Sequence, residues 1–217
     1  LALGPPEDPV GAMTRTPAEY DGYLAGAPGY RLPLAAIANQ FGAQQYANVA
    51  PSPADLGSAF TTSERATLAR AVLARCDAKD GATDGLIQDT TACQAAFDFN
   101  RDVPTCSGAR DGTCLSAAQK AAIAPIFSGA FDGKGHRFYA SFPFDSGHNS
   151  ADSPYWEFFV PLMVDSGATA MIWGVPPAVP ATFNGPAYAL STPIDGMLAS
   201  VAAMLAEVGV TAKMTIL

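Results

Sequence analysis

The stretch of sequence whose residues could most readily do chemistry is CDAKDGATDGLIQD, residues 76 to 89. It places Asp77, Asp80 and Asp84 in one short loop, with glycines at positions 81 and 85. Three converging carboxylates repel each other, because two like charges about 4 Å apart cost roughly 4 kcal/mol at an effective dielectric near 20. They must therefore share a cation or turn outward into solvent, and the spacing alone leaves both interpretations open.

The two glycines favour a cation. Gly81 and Gly85 can adopt positive φ angles, which lets the chain wrap around a point and turn carbonyl oxygens inward. Oxygen ligands in a flexible loop suit Ca²⁺, whereas Mg²⁺ requires stricter octahedral geometry. The spacing is not that of an EF-hand. We therefore expect Ca²⁺ as the cofactor, with a solvated acidic turn as the alternative.

All of the cysteines lie in or just after this loop, at Cys76, Cys93, Cys106 and Cys114. Four cysteines allow three pairings, of which the pairing of sequence neighbours is the simplest. A zinc site is not expected, because the chain has no CxxC motif and neither histidine is nearby. Disulfides would indicate an exported protein, and free buried thiols are the alternative.

Charge and composition exclude several classes of partner. The chain has 217 residues, a net charge of −8 and no Lys/Arg cluster, so we expect no nucleic-acid partner. Its longest charge-free run, residues 166 to 194, is broken by five prolines and is no membrane-spanning helix. We therefore expect no membrane partner, and a chain long enough to bury a core.

Helices are predicted on both sides of the acidic stretch. Thr61 with Glu64 and Ser116 with Gln119 match the capping box that begins a helix. Pro125 should kink the second of these helices or end its regular part. Further apolar patterns predict helices within residues 31 to 50 and over residues 194 to 209.

At family level, ARCDAKDGATDGLIQDTTAC resembles the calcium loop in the lid domain of the tannase and feruloyl esterase family. The shared pattern is Cys-Asp-x-x-Asp-Gly-x-x-Asp-Gly-x-Ile/Leu, followed by a further Cys. Three other segments resemble the same family: RTPAEYDGYLAGAP, CLSAAQKAAI and YWEFFVPLMV. The resemblance runs from about residue 11 to residue 217 and weakens after residue 165.

This resemblance implies a mainly α fold with irregular loops, the lid domain of an α/β-hydrolase, with short remnants of the parallel α/β core at both ends. Residues 1–30 would be a core remnant, residues 31–193 the lid domain, and residues 194–217 the returning helix and strand.

The resemblance also implies a set of site residues. Ca²⁺ would be held by the carboxylates of Asp77, Asp80 and Asp84 and by the backbone carbonyls of Ala82 and Leu86. The disulfides would be Cys76–Cys93 and Cys106–Cys114.

Catalysis in the family uses a Ser-Asp-His triad, and we expect no member of it in this sequence. The place of the nucleophile elbow holds LGPPEDPVGA, which has no serine, and the chain ends before the positions of the family's Asp and His. Asp145, Ser146 and His148 are sequence neighbours, but a triad requires side chains that converge with the histidine between its partners.

The function implied is a portion of a secreted or periplasmic carboxylic ester hydrolase, whose partner is an aromatic ester if the rest of the hydrolase is present. Trp156 and Phe159 are the expected substrate contacts, because aromatic acyl groups need flat apolar walls. Both could equally be core residues. Two alternatives are a calcium-stabilised binding module for aromatic esters that has no catalytic activity, and an inactive truncated relic.

Overall fold

The architecture is helical, in a computed structural model that describes residues 32–52, 55–144 and 190–207. These ranges contain six α-helices: α1 (Leu32–Ala47), α2 (Thr62–Cys76), α3 (Thr90–Ala96), α4 (Phe99–Asp102), α5 (Ala117–Ser128) and α6 (Ile194–Glu207). Extended pairing in the described ranges is limited to isolated β-bridges. The described part is thus mainly α with irregular loops, as predicted. The predicted remnants over residues 1–30 and the strand after residue 209 lie outside it.

Helix α2 begins at the predicted capping box. The Thr61 hydroxyl accepts a hydrogen bond from the Glu64 backbone N–H at 3.3 Å, and the Glu64 carboxylate accepts one from the Thr61 N–H at 2.9 Å. Leu68 and Val72, four residues apart and so on one face of the helix, are buried. The cap fixes the residue at which the helix begins, and Cys76 is the last residue of the helix.

Helix α5 begins at the second capping box but does not end where the sequence suggested. Ser116 and Gln119 exchange the expected hydrogen bonds at 2.9 and 3.1 Å, yet the helix runs through Pro125 to Ser128. Of the two predicted effects of Pro125, a kink or an end to the regular helix, the second was wrong. Proline removes one backbone donor, and burial of the next two residues, Ile126 and Phe127, compensates for that loss.

The main core lies between α1, α2, α5 and the short helices α3 and α4. Four phenylalanines form its aromatic part, with ring centroids 4.8 to 5.6 Å apart: Phe97, Phe99, Phe127 and Phe144. Such separations are favourable for aromatic pairs. Both cysteines of the first disulfide, Cys76 and Cys93, belong to the same cluster.

A smaller cluster joins α1 to α6. Ile37 packs with Met197 and Val201, the latter two from the predicted C-terminal helix. The carboxamide of Gln44 donates hydrogen bonds to the carbonyls of Leu190 and Thr192 at 2.9 and 2.7 Å. No helix in the described ranges is long and apolar enough to cross a membrane.

Candidate functional site

The acidic loop, defined here as residues 77–89, connects two helices that fix both of its ends. Asp77 follows the last residue of α2 and begins a 3₁₀ turn, Asp77–Asp80. Asp89 is the N-cap of α3, and its carboxylate accepts a hydrogen bond from the Ala92 N–H at 2.8 Å. The fourth aspartate of the stretch therefore caps a helix.

A disulfide between Cys76 and Cys93 closes the loop. The two cysteines are 1% and 0% exposed, so the bond lies in the protein core. Closing a loop of this length removes unfolded-state entropy worth about 3 kcal/mol in the chain-entropy model. A covalent bond that is buried in the described part of the protein therefore anchors both ends of the loop.

Inside the loop, the carboxylate of Asp77 reaches back across the turn. Its Oδ1 accepts hydrogen bonds from the backbone N–H groups of Asp84 at 3.2 Å and Gly85 at 3.1 Å. These bonds fold the second half of the loop onto its first residue. The wrapped conformation inferred from the glycine spacing is therefore the one observed.

Asp80 and Asp84 make a second set of backbone contacts. The two carboxylate oxygens of Asp80 accept hydrogen bonds from the N–H groups of Ala82 at 3.1 Å and Gln88 at 2.9 Å. These bonds lower the pKa of Asp80, that from Gln88 most strongly. Asp84 Oδ1 accepts from the Leu86 N–H at 3.0 Å. All three aspartates thus help to shape the loop, and Asp80 is held in its charged form.

The two glycines take the backbone conformation that the wrap requires. Gly81 has a φ of 96° and Gly85 a φ of 81°. No atom lies within 4 Å of the position of an added Cβ at either residue. Glycine is therefore required here for its conformation, not for lack of space.

The donor chemistry of the loop fits Ca²⁺, but its carboxylates are not gathered around one point. Within the described ranges, the second oxygens of Asp77 and Asp84 accept no hydrogen bond, and the carbonyls of Ala82 and Leu86 accept none from the backbone. No three His, Cys, Asp or Glu side chains in those ranges are grouped closely enough to hold a metal ion. Calcium binding therefore stays a proposal.

Other predicted site residues lie outside the described ranges. These are the expected substrate contacts Trp156 and Phe159, and the neighbouring trio that was rejected as a triad, Asp145, Ser146 and His148.

A pocket of about 450 Å³ lies within the described part of the chain. Four phenylalanines line it together with polar residues: Phe97, Phe99, Phe127 and Phe144, and Gln94, Asp98, Ser128, Arg137 and Ser141. The sequence reasoning missed this pocket, although its phenylalanines occur in three short motifs, FDF, IF and FPF.

A buried polar cluster centred on Glu64 was also missed. Glu64 is fully buried, and its carboxylate accepts hydrogen bonds from Arg110 Nε and Nη2, both at 2.6 Å, and from Gln119 Nε2 at 3.1 Å. Burial opposes its ionisation, but these bonds and that from Thr61 hold the pKa of Glu64 below its usual range. Arg110 lies 46 residues away from Glu64, and the capping motif alone gives no sign of it.

Comparison with known proteins assigns this chain to a family. The model of a family described as tannase and feruloyl esterase matches residues 8–176, well over half of the chain. The chain belongs to the tannase and feruloyl esterase family. The resemblance inferred from the acidic loop is thereby confirmed.

Individual relatives of the tannase and feruloyl esterase family are moderately similar to this chain. A mono(2-hydroxyethyl) terephthalate hydrolase of Piscinibacter sakaiensis is 36% identical over 148 residues, which cover 61% of this chain and 24% of that protein. A probable feruloyl esterase B-1 of Neosartorya fischeri is 27% identical over 195 residues, 85% of this chain and 35% of that protein. The chain therefore spans about a quarter of the length of the first relative and about a third of the length of the second.

Two solved structures share the fold of this chain. Feruloyl esterase B from Aspergillus oryzae superposes with a TM-score of 0.58 and 20% identity, covering 88% of this chain and 35% of that chain. An esterase from the same organism gives a TM-score of 0.58 at 18% identity, covering 88% of this chain and 34% of that chain.

Proposed function

We propose that this chain forms the calcium-stabilised lid of a carboxylic ester hydrolase that acts on aromatic esters. Membership of the tannase and feruloyl esterase family supports ester hydrolysis. The names of the relatives, a terephthalate ester hydrolase and feruloyl esterases, support an aromatic acyl group. Because the chain spans 24% and 35% of those two relatives, the activity is proposed for a longer protein that contains this segment.

The observation that carries the calcium part of the proposal is the fold-back of the acidic loop onto Asp77. Two backbone N–H groups bind one oxygen of this carboxylate, while its other oxygen accepts no hydrogen bond from the described residues. A loop that is already wrapped and covalently closed loses less conformational entropy when it binds an ion. Preorganisation of this kind favours a bound cation over a solvated turn.

The residues proposed to hold Ca²⁺ are the carboxylates of Asp77, Asp80 and Asp84 and the carbonyls of Ala82 and Leu86. When bound, the ion would neutralise the repulsion among the three carboxylates. The chain itself holds the loop ends through the Cys76–Cys93 bond and the Asp89 cap. Calcium is thus proposed to stabilise the lid and to take no part in the chemical step.

The substrate contacts proposed for the lid are Trp156 and Phe159, which would provide flat walls for the aryl group. No catalytic residue is proposed within this chain. An exported location, secreted or periplasmic, is proposed because both disulfides are formed in the structure and such bonds persist in oxidising compartments.

An esterase assay of the complete gene product tests the proposal. Methyl ferulate and methyl butanoate would serve as matched aromatic and aliphatic substrates, each with and without EGTA. We expect preferential hydrolysis of methyl ferulate, with a shorter half-life of activity at raised temperature after calcium removal. The segment of residues 1–217 alone should hydrolyse neither ester. Absence of esterase activity in the complete protein would contradict the proposed function.

A further inference from the structure

The second disulfide closes a short ring, residues 106–114, that lies against the start of helix α2. Cys106 and Cys114 form the bond. The Cys106 backbone N–H donates to the Leu115 carbonyl at 3.0 Å and so joins the base of the ring. Ser116, which follows Leu115 in the sequence, is the N-cap of α5. The ring is therefore linked covalently to the beginning of one helix and rests on the beginning of another.

Arg110 connects the ring to the protein interior. Its guanidinium binds both carboxylate oxygens of the fully buried Glu64 and donates a third hydrogen bond, at 3.1 Å, to the Ala59 carbonyl. In the described ranges, Arg110 is the only cation that forms an ion pair with Glu64. A buried carboxylate that loses its cation is strongly destabilising.

The backbone of the ring fits against α2 at a second point. The Thr67 hydroxyl donates to the Gly112 carbonyl at 2.7 Å. Gly112 has a φ of 87°, and a Cβ added there would lie 2.5 Å from the Cβ of Ser63. Two different residues of this short segment, Arg110 and Gly112, therefore hold it against α2.

The two disulfides differ in their access to solvent. Cys76 and Cys93 are 1% and 0% exposed, whereas Cys106 is partly exposed, its partner Cys114 is 8% exposed, and the ring residues that follow Cys106 are exposed. Thiol–disulfide exchange requires that a thiolate reach one of the two sulfurs. Of the four cysteines, Cys106 is therefore the one most exposed to an external thiol, whereas both cysteines of the acidic-loop disulfide are buried.

We propose that the Cys106–Cys114 disulfide is a redox-sensitive latch, opened by a thiol reductant while Cys76–Cys93 remains closed. A thiolate of a dithiol attacks Sγ of Cys106, and the S–S bond breaks with Cys114 as the leaving thiolate, which takes up a proton. The second thiol of the reductant then loses its proton and attacks the reductant's sulfur in the mixed disulfide. Cys106 leaves as a thiolate and takes up a proton, and the reductant's own disulfide is closed. Two electrons pass from the dithiol to the protein.

Opening the latch acts through Arg110. Once the ring is open, the covalent part of the restraint on Arg110 is gone, and only hydrogen bonds such as that from the Cys106 N–H to the Leu115 carbonyl still hold the segment. When Arg110 leaves, the Glu64 carboxylate keeps only neutral donors, from Thr61 and Gln119. Glu64 and Gln119 are also the third residues of the two capping boxes. The latch therefore couples the redox state of a partly exposed bond to the starts of α2 and α5.

Timed alkylation measures the order of reduction. The chain would be treated with dithiothreitol under native conditions, quenched at intervals with iodoacetamide, and digested for mass spectrometry. We expect Cys106 and Cys114 to be labelled at least ~10-fold faster than Cys76 and Cys93, because access limits the exchange. Equal rates, or earlier labelling of Cys76 and Cys93, would overturn the proposal.

A thermodynamic cycle that combines reduction of the disulfide with a single substitution tests the coupling to Glu64. The melting temperature would be compared for oxidised and selectively reduced protein in the wild type, in Arg110→Gln, and in Arg101→Gln as a control. Arg101 is exposed and forms its ion pair with Asp102 on the short helix α4. Reduction should lower the melting temperature by the same amount in the wild type and the control. In Arg110→Gln the drop should be less than about half of that amount. Equal loss in all three would show that the ring does not act through Arg110.

Discussion

Asp77 and Asp84 are joined across the acidic loop by a hydrogen bond of 3.2 Å from the Asp84 backbone N–H to the Asp77 carboxylate. The first and last acidic residues of the family pattern are therefore in contact in the structure. The same oxygen of Asp77 also accepts the N–H of Gly85 at 3.1 Å. This relationship makes Asp77 both the organiser of the loop and, in our proposal, a calcium ligand.

Asp77→Asn separates these two roles. The asparagine side chain keeps an oxygen that can accept both backbone bonds, but it removes one negative charge from the proposed ligand set. We expect calcium affinity, measured by calorimetry, to fall about tenfold or more while the chain stays folded. The control is Asp111→Asn, because Asp111 makes a similar local bond, to the Thr113 N–H, outside the acidic loop. An equal effect of both substitutions would refute a specific role for Asp77.

Gly81→Ala tests the backbone conformation of the loop. The φ of 96° is costly for any residue with a Cβ, although no atom obstructs the side chain itself. We expect a loss of about 1–2 kcal/mol in the free energy of unfolding, measured by urea denaturation. Gly108→Ala is the matched control, since that glycine also has open space around it but no positive φ. A neutral Gly81→Ala would mean that the loop can relax to another conformation.

Gln119→Ala should be more harmful than Ser116→Ala, although both residues belong to one capping box. Loss of the Ser116 hydroxyl removes a cap worth about 1 kcal/mol. Loss of the Gln119 side chain also removes one of the two hydrogen bonds to the Ala59 carbonyl and one bond of the buried Glu64 carboxylate, for a total of roughly 2–3 kcal/mol. Thermal unfolding of the two variants compares them directly, and the opposite ranking would contradict the buried cluster.

Glu64 should make stability depend on pH in the acid range. Its pKa is lowered in the folded state, so the unfolded chain binds a proton first as the pH falls. The stabilising contribution is therefore present above the unfolded pKa of about 4.3 and is lost as the pH falls through the lower folded pKa. Glu64→Gln should be less stable at pH 7, and its disadvantage should shrink towards pH 3. Urea midpoints at both pH values measure this difference, and a constant difference would contradict it.

Local chemistry made the helix starts and the loop predictable from sequence. The pairs Thr61–Glu64 and Ser116–Gln119 are close in the chain, and their hydrogen bonds follow from residue type and spacing alone. The positive φ of Gly81 and Gly85 follows from the same kind of information. In each case the interacting groups are neighbours in sequence.

The long-range contacts were not predictable in the same way. Arg110 reaches Glu64 across 46 residues, and the ring that carries it has no pattern that indicates which surface it covers. The continuation of α5 through Pro125 depends on burial of Ile126 and Phe127 against other elements. Tertiary packing overrode the local preference of proline in that helix.

Calcium binding to the folded chain is the most direct test of the central proposal, that the acidic loop holds Ca²⁺. The chain would be stripped with EGTA and dialysed, and then titrated with CaCl₂ by isothermal calorimetry. Melting curves would be recorded before and after the titration. We expect one saturable site and a melting temperature several degrees higher with Ca²⁺, since a ligand that binds only the folded state stabilises it. A folded chain that gives no binding heat and the same melting temperature in CaCl₂ and EGTA would contradict the account.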